Sequence, residues 1–279
     1  MKNDVTIVLV SFYSEKIILD YIKKLSGFNI VIIENSKNLL LKKKLKNKKN
    51  IRVFISKKNL GFGASLNFAN KKINTKYLLH LDLDTNLNKK NLMRLIKFTS
   101  GNNNFGILTG KIRGFKYRED QFSKKNIYDN CDQMKYVDGC LMLFNLKYFN
   151  KKIFDEKFFL YFEETDLFKR CEKNNVKIIK LNTVNFFHKG RSSSESKYNN
   201  EIEINRNWHY MWSKFYYNKK YYGYFLALTK SLRNFTSSFI KGYILWFLNY
   251  KKKDIYKARF SGCLNSILLK KSSYRPNIK

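Results

Sequence analysis

The chain has 279 residues, 44% of them hydrophobic, with a single proline, Pro276. That length supports a packed core of one large domain, or of a domain with an appendage, and the composition excludes long disordered stretches. Its 56 Lys and Arg against 21 Asp and Glu leave a formal charge of +35, which favours anionic partners such as nucleotides, nucleic acid or anionic lipid surfaces. A composition rich in Lys, Asn, Ile, Phe and Tyr is a second source of that charge and needs no partner. The four cysteines, Cys131, Cys140, Cys171 and Cys263, form no Cys-x-x-Cys pair. Zinc-type spacing is absent, and they read as reduced, mostly buried thiols of a cytosolic protein. The first apolar run, Val5–Val10, is strand length, so no secretory signal is expected. No uncharged apolar run is long enough to span a bilayer; the best candidate, Tyr221 to Tyr250, is broken by Lys230, Arg233 and Lys241.

Val5–Val10 and Ile30–Ile33 are continuous apolar runs rich in β-branched residues, the pattern of strands buried on both faces. Between them Ser14 is positioned to cap a helix in which Ile17, Ile18, Tyr21, Ile22 and Leu25 recur at helical spacing, ended by Gly27. Glu34-Asn35-Ser36 closes the second strand. The lysine-rich stretch Leu39 to Lys49 reads as a helix or loop whose charges coat a solvated face, and Ile51–Ile55 is a third strand. This alternation predicts an α/β fold with a mostly parallel, Rossmann-like sheet flanked by helices, whose ligands bind at the carboxyl ends of the strands.

Asn59-Leu-Gly61-Phe-Gly63-Ala-Ser-Leu-Asn67 follows, and Ala64 to Ile73 reads as a helix. The glycines permit a tight turn and close approach of a ligand, and the helix start favours an anion; a plain turn is the other reading. Tyr77 to Thr85 is a buried strand running into Asp82 and Asp84. Residues two apart on a strand share a face, so these carboxylates can converge, and a hard divalent cation such as Mg2+ or Mn2+ would relieve their repulsion. The competing reading is an Asp-containing turn. His80, within that strand, reads as core. Asn88 to Thr99 is an amphipathic helix, Phe105 to Thr109 a strand, and residues 110–135 a charged, irregular, mobile loop. Tyr136 to Phe144 returns to strand, with Asp138-Gly139 interrupting its start. An aromatic block then runs into Glu163, Glu164 and Asp166 at the start of a helix. Acids so close beside apolar surface are expected to raise one another's pKa, the setting of a general base; N-terminal capping is the alternative. Val176 to Leu181 is a last short strand, followed by a Gly/Ser-rich loop holding His188, where contact with metal or phosphate is open to it.

Taken in order, Val5–Ser14, Glu34-Asn35-Ser36, Asn59-Leu-Gly-Phe-Gly-x-x-x-Asn67, Leu-Asp82-Leu-Asp84, Asp138-Gly139, Phe154 to Leu167 and His188-x-Gly190-x-Ser192 resemble the family 2 glycosyltransferases of GT-A fold, closest to the rhamnosyltransferase-like branch. The resemblance implies an inverting, metal-dependent glycosyltransferase. Ser11, Tyr13, Glu34, Asn59, Gly61, Gly63, Asn67, Asp82, Asp138 and Gly139 would bind the nucleotide-sugar, with Glu34 near the base or ribose. Asp84, with Asp82 and His188, would hold Mg2+ or Mn2+, and Glu164, beside Glu163 and Asp166, would be the catalytic base. Glu34 departs from the Asp carried by many members. The resemblance brings forward dTDP-rhamnose or a UDP-sugar as donor and a saccharide or lipid-linked acceptor, as in cell-surface polysaccharide synthesis.

The chain divides, on this reading, into a catalytic domain over 1–205 and a basic, aromatic, helical appendage over 206–279. The appendage carries sixteen Lys and Arg against Asp254 alone, interleaved with Tyr, Phe, Trp and Leu. Helices of that composition suit an anionic bilayer surface, which predicts a cytoplasmic enzyme held peripherally on the inner face of the membrane; packing on the sheet domain is the alternative. A nucleic-acid-binding protein is the competing function class, and the acidic residues expected along the rim speak against it. A non-catalytic relative of the family is the third reading, opposed by acids at every expected position.

Overall fold

The computed structural model of the chain describes residues 2–128, 130–190, 194, 196–248 and 252–276. Ser192 of the last motif, and Tyr250 and Lys251 of the appendage, lie outside the described residues. The strands form one ten-stranded sheet. Strands β1 (Val5–Ser11), β2 (Asn29–Glu34), β3 (Ile51–Ile55) and β4 (Tyr77–Leu81) pair in parallel in the order β3-β2-β1-β4. Helices α1 (Glu15–Lys23), α2 (Leu39–Lys44) and α3 (Phe62–Asn70) make the returns between them. Val5, Ile7, Val8 and Leu9 are all fully buried, as their unbroken apolar run requires.

Beyond β4 the sheet departs from the parallel expectation. A two-residue strand β5 (Thr85–Asn86) precedes helix α4 (Lys89–Gly101) and strand β6 (Ile107–Ile112). Strand β9 (Leu141–Asn145) then enters antiparallel between β4 and β6, so the sheet is mixed. The physical reason is connection length: no α-helix intervenes between β6 and β9, and without a crossover helix neighbouring strands run antiparallel. Residues 110–135 are correspondingly not a loop. They complete β6 and fold into a hairpin of β7 (Phe122–Tyr128) and β8 (Cys131–Met134) at the sheet edge. Lys124 and Lys125 are exposed on the edge strand, where charge protects unpaired backbone, and this hid the strand from periodicity. Inside, Lys180 pairs with Asp132 at 3.2 Å and lies 4.0 Å from the Tyr117 ring, which pins the hairpin.

Helix α5 (Glu163–Lys173) leads to β10 (Ile178–His188), parallel to β6 and antiparallel to β8. This strand is longer than Val176–Leu181 because its register shifts between Leu181 and Asn185. The polar residues of that irregularity conceal the continuation, and His188 is the strand's last residue, not part of a following loop. The run from Tyr136 becomes strand only at Leu141. Ser14 occupies the N-cap of α1 without capping it: its hydroxyl donates to Phe12 O at 3.0 Å and accepts from Phe12 N. Asn38 and Asn88 do cap α2 and α4 through their side chains.

Two compact units result. The first comprises residues 1–60, 65–154 and 167–195, and its core includes a cluster built on Ile7, Leu9, Ile32, Leu79, Leu143 and Ile179. The second comprises 61–64, 155–166 and 196–279. It contains helices α6 (Asn199–Tyr222), α7 (Tyr224–Phe239) and α8 (Lys253–Ile267), with Trp208, Trp212 and Ala258 at its centre. A division at residue 205/206 falls inside α6. Among the described residues no helix is long and apolar enough to cross a membrane, and all four cysteines are buried thiols.

Candidate active site

In the first unit β4 ends at Leu81, and Asp82-Leu83-Asp84 form a turn closed by Thr85 N donating to Asp82 O at 3.0 Å. The two carboxylates therefore converge through a turn, not through strand alternation. The turn is fastened to the start of β9: Asp82 N and Thr85 Oγ1 both donate to Cys140 O, at 2.9 and 3.2 Å. Leu83, buried, holds it down from within. His80 is core, as its strand predicts, and it also orients the site. Its Nδ1 lies 3.3 Å from Val8 O and its Nε2 3.1 Å from Asp82 Oδ1.

His188 arrives by backbone pairing, since β10 and β5 run antiparallel with His188 opposite Thr85. Lys189 N donates to Asp84 O, and the imidazole is thereby set among carboxylates. Nε2 stands 3.3 Å from Asp84 Oδ1 and 3.9 Å from Asp82 Oδ2; Nδ1 stands 3.9 Å from Asp138 Oδ1. The hydrogen bond to Asp84 and the charges of Asp138, Asp84 and Asp82 raise the His188 pKa above its ordinary value, against the opposing effect of burial. Beneath the turn Tyr21 donates to Thr85 O at 2.8 Å; burial first, then the charges of Asp82 and Asp84, push its phenol far up. One ligand atom each from Asp82, Asp84 and His188 lies within 4.8 Å of the others, as does one each from Asp138, Cys140 and His188. Two carboxylates and an imidazole suit a divalent cation such as Mg2+ or Mn2+. Cys140, His80 and Tyr21 carried no signal in the sequence as members of this site.

A second group lies at the ends of β1 and β2, where Ser11 is registered against Glu34. Glu34 is buried, with one carboxylate oxygen accepting from Ser11 Oγ and the other from Ser36 N and Oγ. Tyr13, left-handed at φ 50°, donates from its N–H to Ser36 Oγ. Asn35 bonds Ser65 Oγ with its amide nitrogen and Leu60 N, the neighbour of Asn59, with its oxygen. Asn67 is buried and scaffolding: it donates to Phe154 O and accepts from Ile153 N and Phe154 N. Asp138, exposed, accepts from Cys140 N at 3.2 Å and so shapes the turn around buried Gly139.

In the second unit Gly61, at φ +79°, approaches so closely that a Cβ would stand 2.1 Å from Phe159 O; Gly63 is buried in the first turn of α3. Tyr161 and Phe162 are consecutive left-handed residues at φ 66°, a costly conformation for aromatic side chains. They turn the chain into α5, whose first turn carries buried Glu163, half-buried Glu164 and buried Asp166. These acids divide their tasks. Asp166 accepts from Lys220 Nζ and from Tyr221 Oη at 2.8 Å, and Lys220 also reaches Asp155 at 2.8 Å. Burial pushes the Asp155 carboxyl up, but hydrogen bonds from Lys220, Lys157 N and Tyr216 outweigh it and hold the pKa below the ordinary value. The pairing with Lys220, 54 residues from Asp166, had no signature in the sequence.

The comparisons bear on family and fold. The family model described as Glycosyl transferase family 2 matches residues 6–168. No curated protein is matched by the sequence. Solved structures of similar fold include the mannosyltransferase PcManGT from Pyrobaculum calidifontis in complex with GDP-Man and Mn2+. It is 10% identical, with a TM-score of 0.58 over 96% of this chain and 88% of that one. S. aureus TarS 1–349 is 16% identical, with a TM-score of 0.52 over 97% and 93% of the two chains. GalNAc-T7 with UDP, GalNAc and Mn2+ is 13% identical, with a TM-score of 0.54 over 84% and 57%. At such identities the likeness is one of fold.

Proposed function

The chain belongs to glycosyl transferase family 2 and is a glycosyltransferase of GT-A fold, and from that premise we propose an inverting, metal-dependent enzyme that transfers a sugar from a nucleotide-sugar to a saccharide or lipid-linked acceptor. The observation that carries the proposal is the convergence of Asp82, Asp84 and His188. Asp84 and Asp82, with His188, would hold Mg2+ or Mn2+, and the cation would supply positive charge for the diphosphate leaving group. His80 holds the Asp82 carboxylate in place. Ser11, Tyr13 and Glu34 take the nucleoside end of the donor, with Asn59, Gly61 and Gly63 along the loop and Asp138-Gly139 beside the metal ligands. Asn67 acts through the backbone it fixes. Glu164 removes the proton from the acceptor hydroxyl, which attacks the anomeric carbon opposite the nucleotide. Glu163 and Asp166 shape that helix start.

The rhamnosyltransferase-like branch, with dTDP-rhamnose or a UDP-sugar as donor and cell-surface polysaccharide as product, is the pathway this reading favours. It places the enzyme in the cytoplasm, in peripheral contact with an anionic membrane. The catalytic part is proposed to end near residue 205, within α6, with the basic helical region over 206–279. The test is a panel of sugar nucleotides, read by thermal shift with and without Mn2+. One donor class should stabilise the protein only with the cation. Stabilisation by none, with or without the cation, rejects the proposal.

A further inference from the structure

Part of the second unit turns large apolar side chains outward and small ones inward. Along α7 and the π-helical turn that continues it, Ile240–Ile244, the residues Ala227, Ser231, Ser238 and Gly242 are buried. Phe225, Leu232, Phe239, Tyr243, Ile244 and Phe247 are exposed, Phe225 at 82%. Their spacing makes one stripe along the helix and its extension. An amphipathic helix with water on its outer side shows the reverse arrangement. On helix α8 small residues are also buried: Ala258, Gly262 and Ser266, four residues apart, with Cys263. A Cβ on Gly242 would stand 3.1 Å from Lys257 N, and one on Gly262 2.2 Å from Trp208 O, so these helices meet backbone to backbone. Helix interfaces in lipid are enriched in small residues, which let backbones approach closely.

Charge identifies the occupant. Residues 206–279 contain sixteen Lys and Arg and one acid, Asp254. Lys230, Arg233 and Lys241, on the same helix and its extension, are exposed. The ammonium of Lys230 lies 4.2 Å from the Tyr222 ring, that of Lys253 5.6 Å from Trp246 and that of Lys257 5.5 Å from Tyr243. Cations beside aromatics at the margin of an apolar stripe form the pattern of a membrane–water interface. A second copy of the chain would bring like charge against like charge, whereas an anionic bilayer neutralises it. No described helix is long and apolar enough to cross a bilayer, and the contact considered is with its surface.

We propose that the outer face of α7, with its π-helical turn and the apolar residues to Leu248, is the surface that docks on a bilayer of anionic lipids: side chains of the stripe enter the headgroup–acyl boundary and the lysines meet the phosphates. This deepens the peripheral contact proposed above and rests on it; it is independent of the donor chemistry. The test uses the full chain with phosphatidylglycerol and phosphatidylcholine vesicles. Binding to phosphatidylglycerol should be about tenfold or more tighter and should weaken with salt. Trp246, the exposed tryptophan, should be quenched by brominated acyl chains, and Trp246→Phe should lose that quenching, since Trp208 and Trp212 are buried. The combined variant Phe225→Ser, Leu232→Ser, Phe247→Ser should bind about tenfold or more weakly while keeping the wild-type nucleotide-induced thermal shift.

Vesicle binding unchanged in that variant, or binding without quenching of Trp246, overturns this surface and leaves peripheral contact standing. No binding of the wild type to phosphatidylglycerol overturns both, while the nucleotide shift still reports on glycosyl transfer. A dimer dissolved by the serine variant, without vesicle binding, would assign the face to a second copy and overturn the proposal.

Discussion

His188 is the residue on which three carboxylates converge, and its imidazole separates two of them by lying between Asp84 and Asp138. Of the proposed ligands Asp84 is the one whose loss should matter most, because its side chain is nearly buried while Asp82 is partly solvated and already engaged by His80. Asp84→Ala is expected to remove Mn2+-dependent nucleotide binding and nearly all turnover, with Asp82→Ala weakening binding less. Calorimetric titration checks this; unchanged nucleotide affinity in Asp84→Ala rejects the metal assignment. Glu164→Gln keeps the shape of the acid and removes its basicity. Donor affinity should stay near wild type while the rate falls by about 10²-fold or more, the usual scale for a lost general base. An inactive Glu163→Gln beside an active Glu164→Gln would move the base by one residue. NMR of the product should show inverted anomeric configuration.

At the scale of elements, α6 organises the acidic turn through its own side chains. Ser213 donates to Leu160 O, Lys220 and Tyr221 hold Asp166, and His209 stacks 4.4 Å from Phe159. His209 is fully buried, its Nε2 bonding Tyr274 O and its Nδ1 bonding Ser272 Oγ. A carbonyl can only accept, so the neutral ring donates from Nε2 and accepts at Nδ1. Burial, helped by Arg275 and opposed by the Tyr274 carbonyl, lowers its pKa from 6.5 to about 3. The unfolded chain therefore takes up a proton that the folded chain refuses between those values. This contribution to stability is intact above pH 6.5 and is lost as pH falls toward 3, by about 1.4 kcal/mol per pH unit at most. Denaturant melts of the wild type should show that slope, and His209→Gln, less stable at neutral pH, should flatten it. A parallel pH dependence in both proteins would reject the assignment.

For the whole molecule, the second unit is assembled from three separated stretches, 61–64, 155–166 and 196–279. A chain cut after residue 205 consequently loses more than an appendage. Phe159 loses His209 and Arg275, whose guanidinium lies 3.6 Å over its ring, and Asp155 and Asp166 lose Lys220. Hydrogen exchange across 155–166 should accelerate about tenfold or more in the truncated chain, because the left-handed Tyr161 and Phe162 persist only while packing over-determines them. Unchanged protection there would show that the acidic turn holds its own shape.

Local chemistry by itself determined the strands β1, β2 and β4, because burial on both faces demands unbroken apolar runs, and it put two carboxylates directly after β4. It also determined the acidic start of α5, since Glu163 to Asp166 are contiguous. Tertiary structure decided which of these groups meet. His188 reaches Asp84 through a two-residue ladder with β5, Asn67 spends its amide on the backbone of Phe154, and Asp166 finds Lys220. Each is a pairing between residues far apart in the sequence, and no periodicity records a partner far away in the chain. The direction of the sheet beyond β4 was decided the same way, by strands joined without a crossover helix. So was the outward stripe of α7: the spacing of Phe225, Leu232 and Phe239 is written in the chain, but small residues on the opposite face, and helices close enough to need them, decide which side is buried.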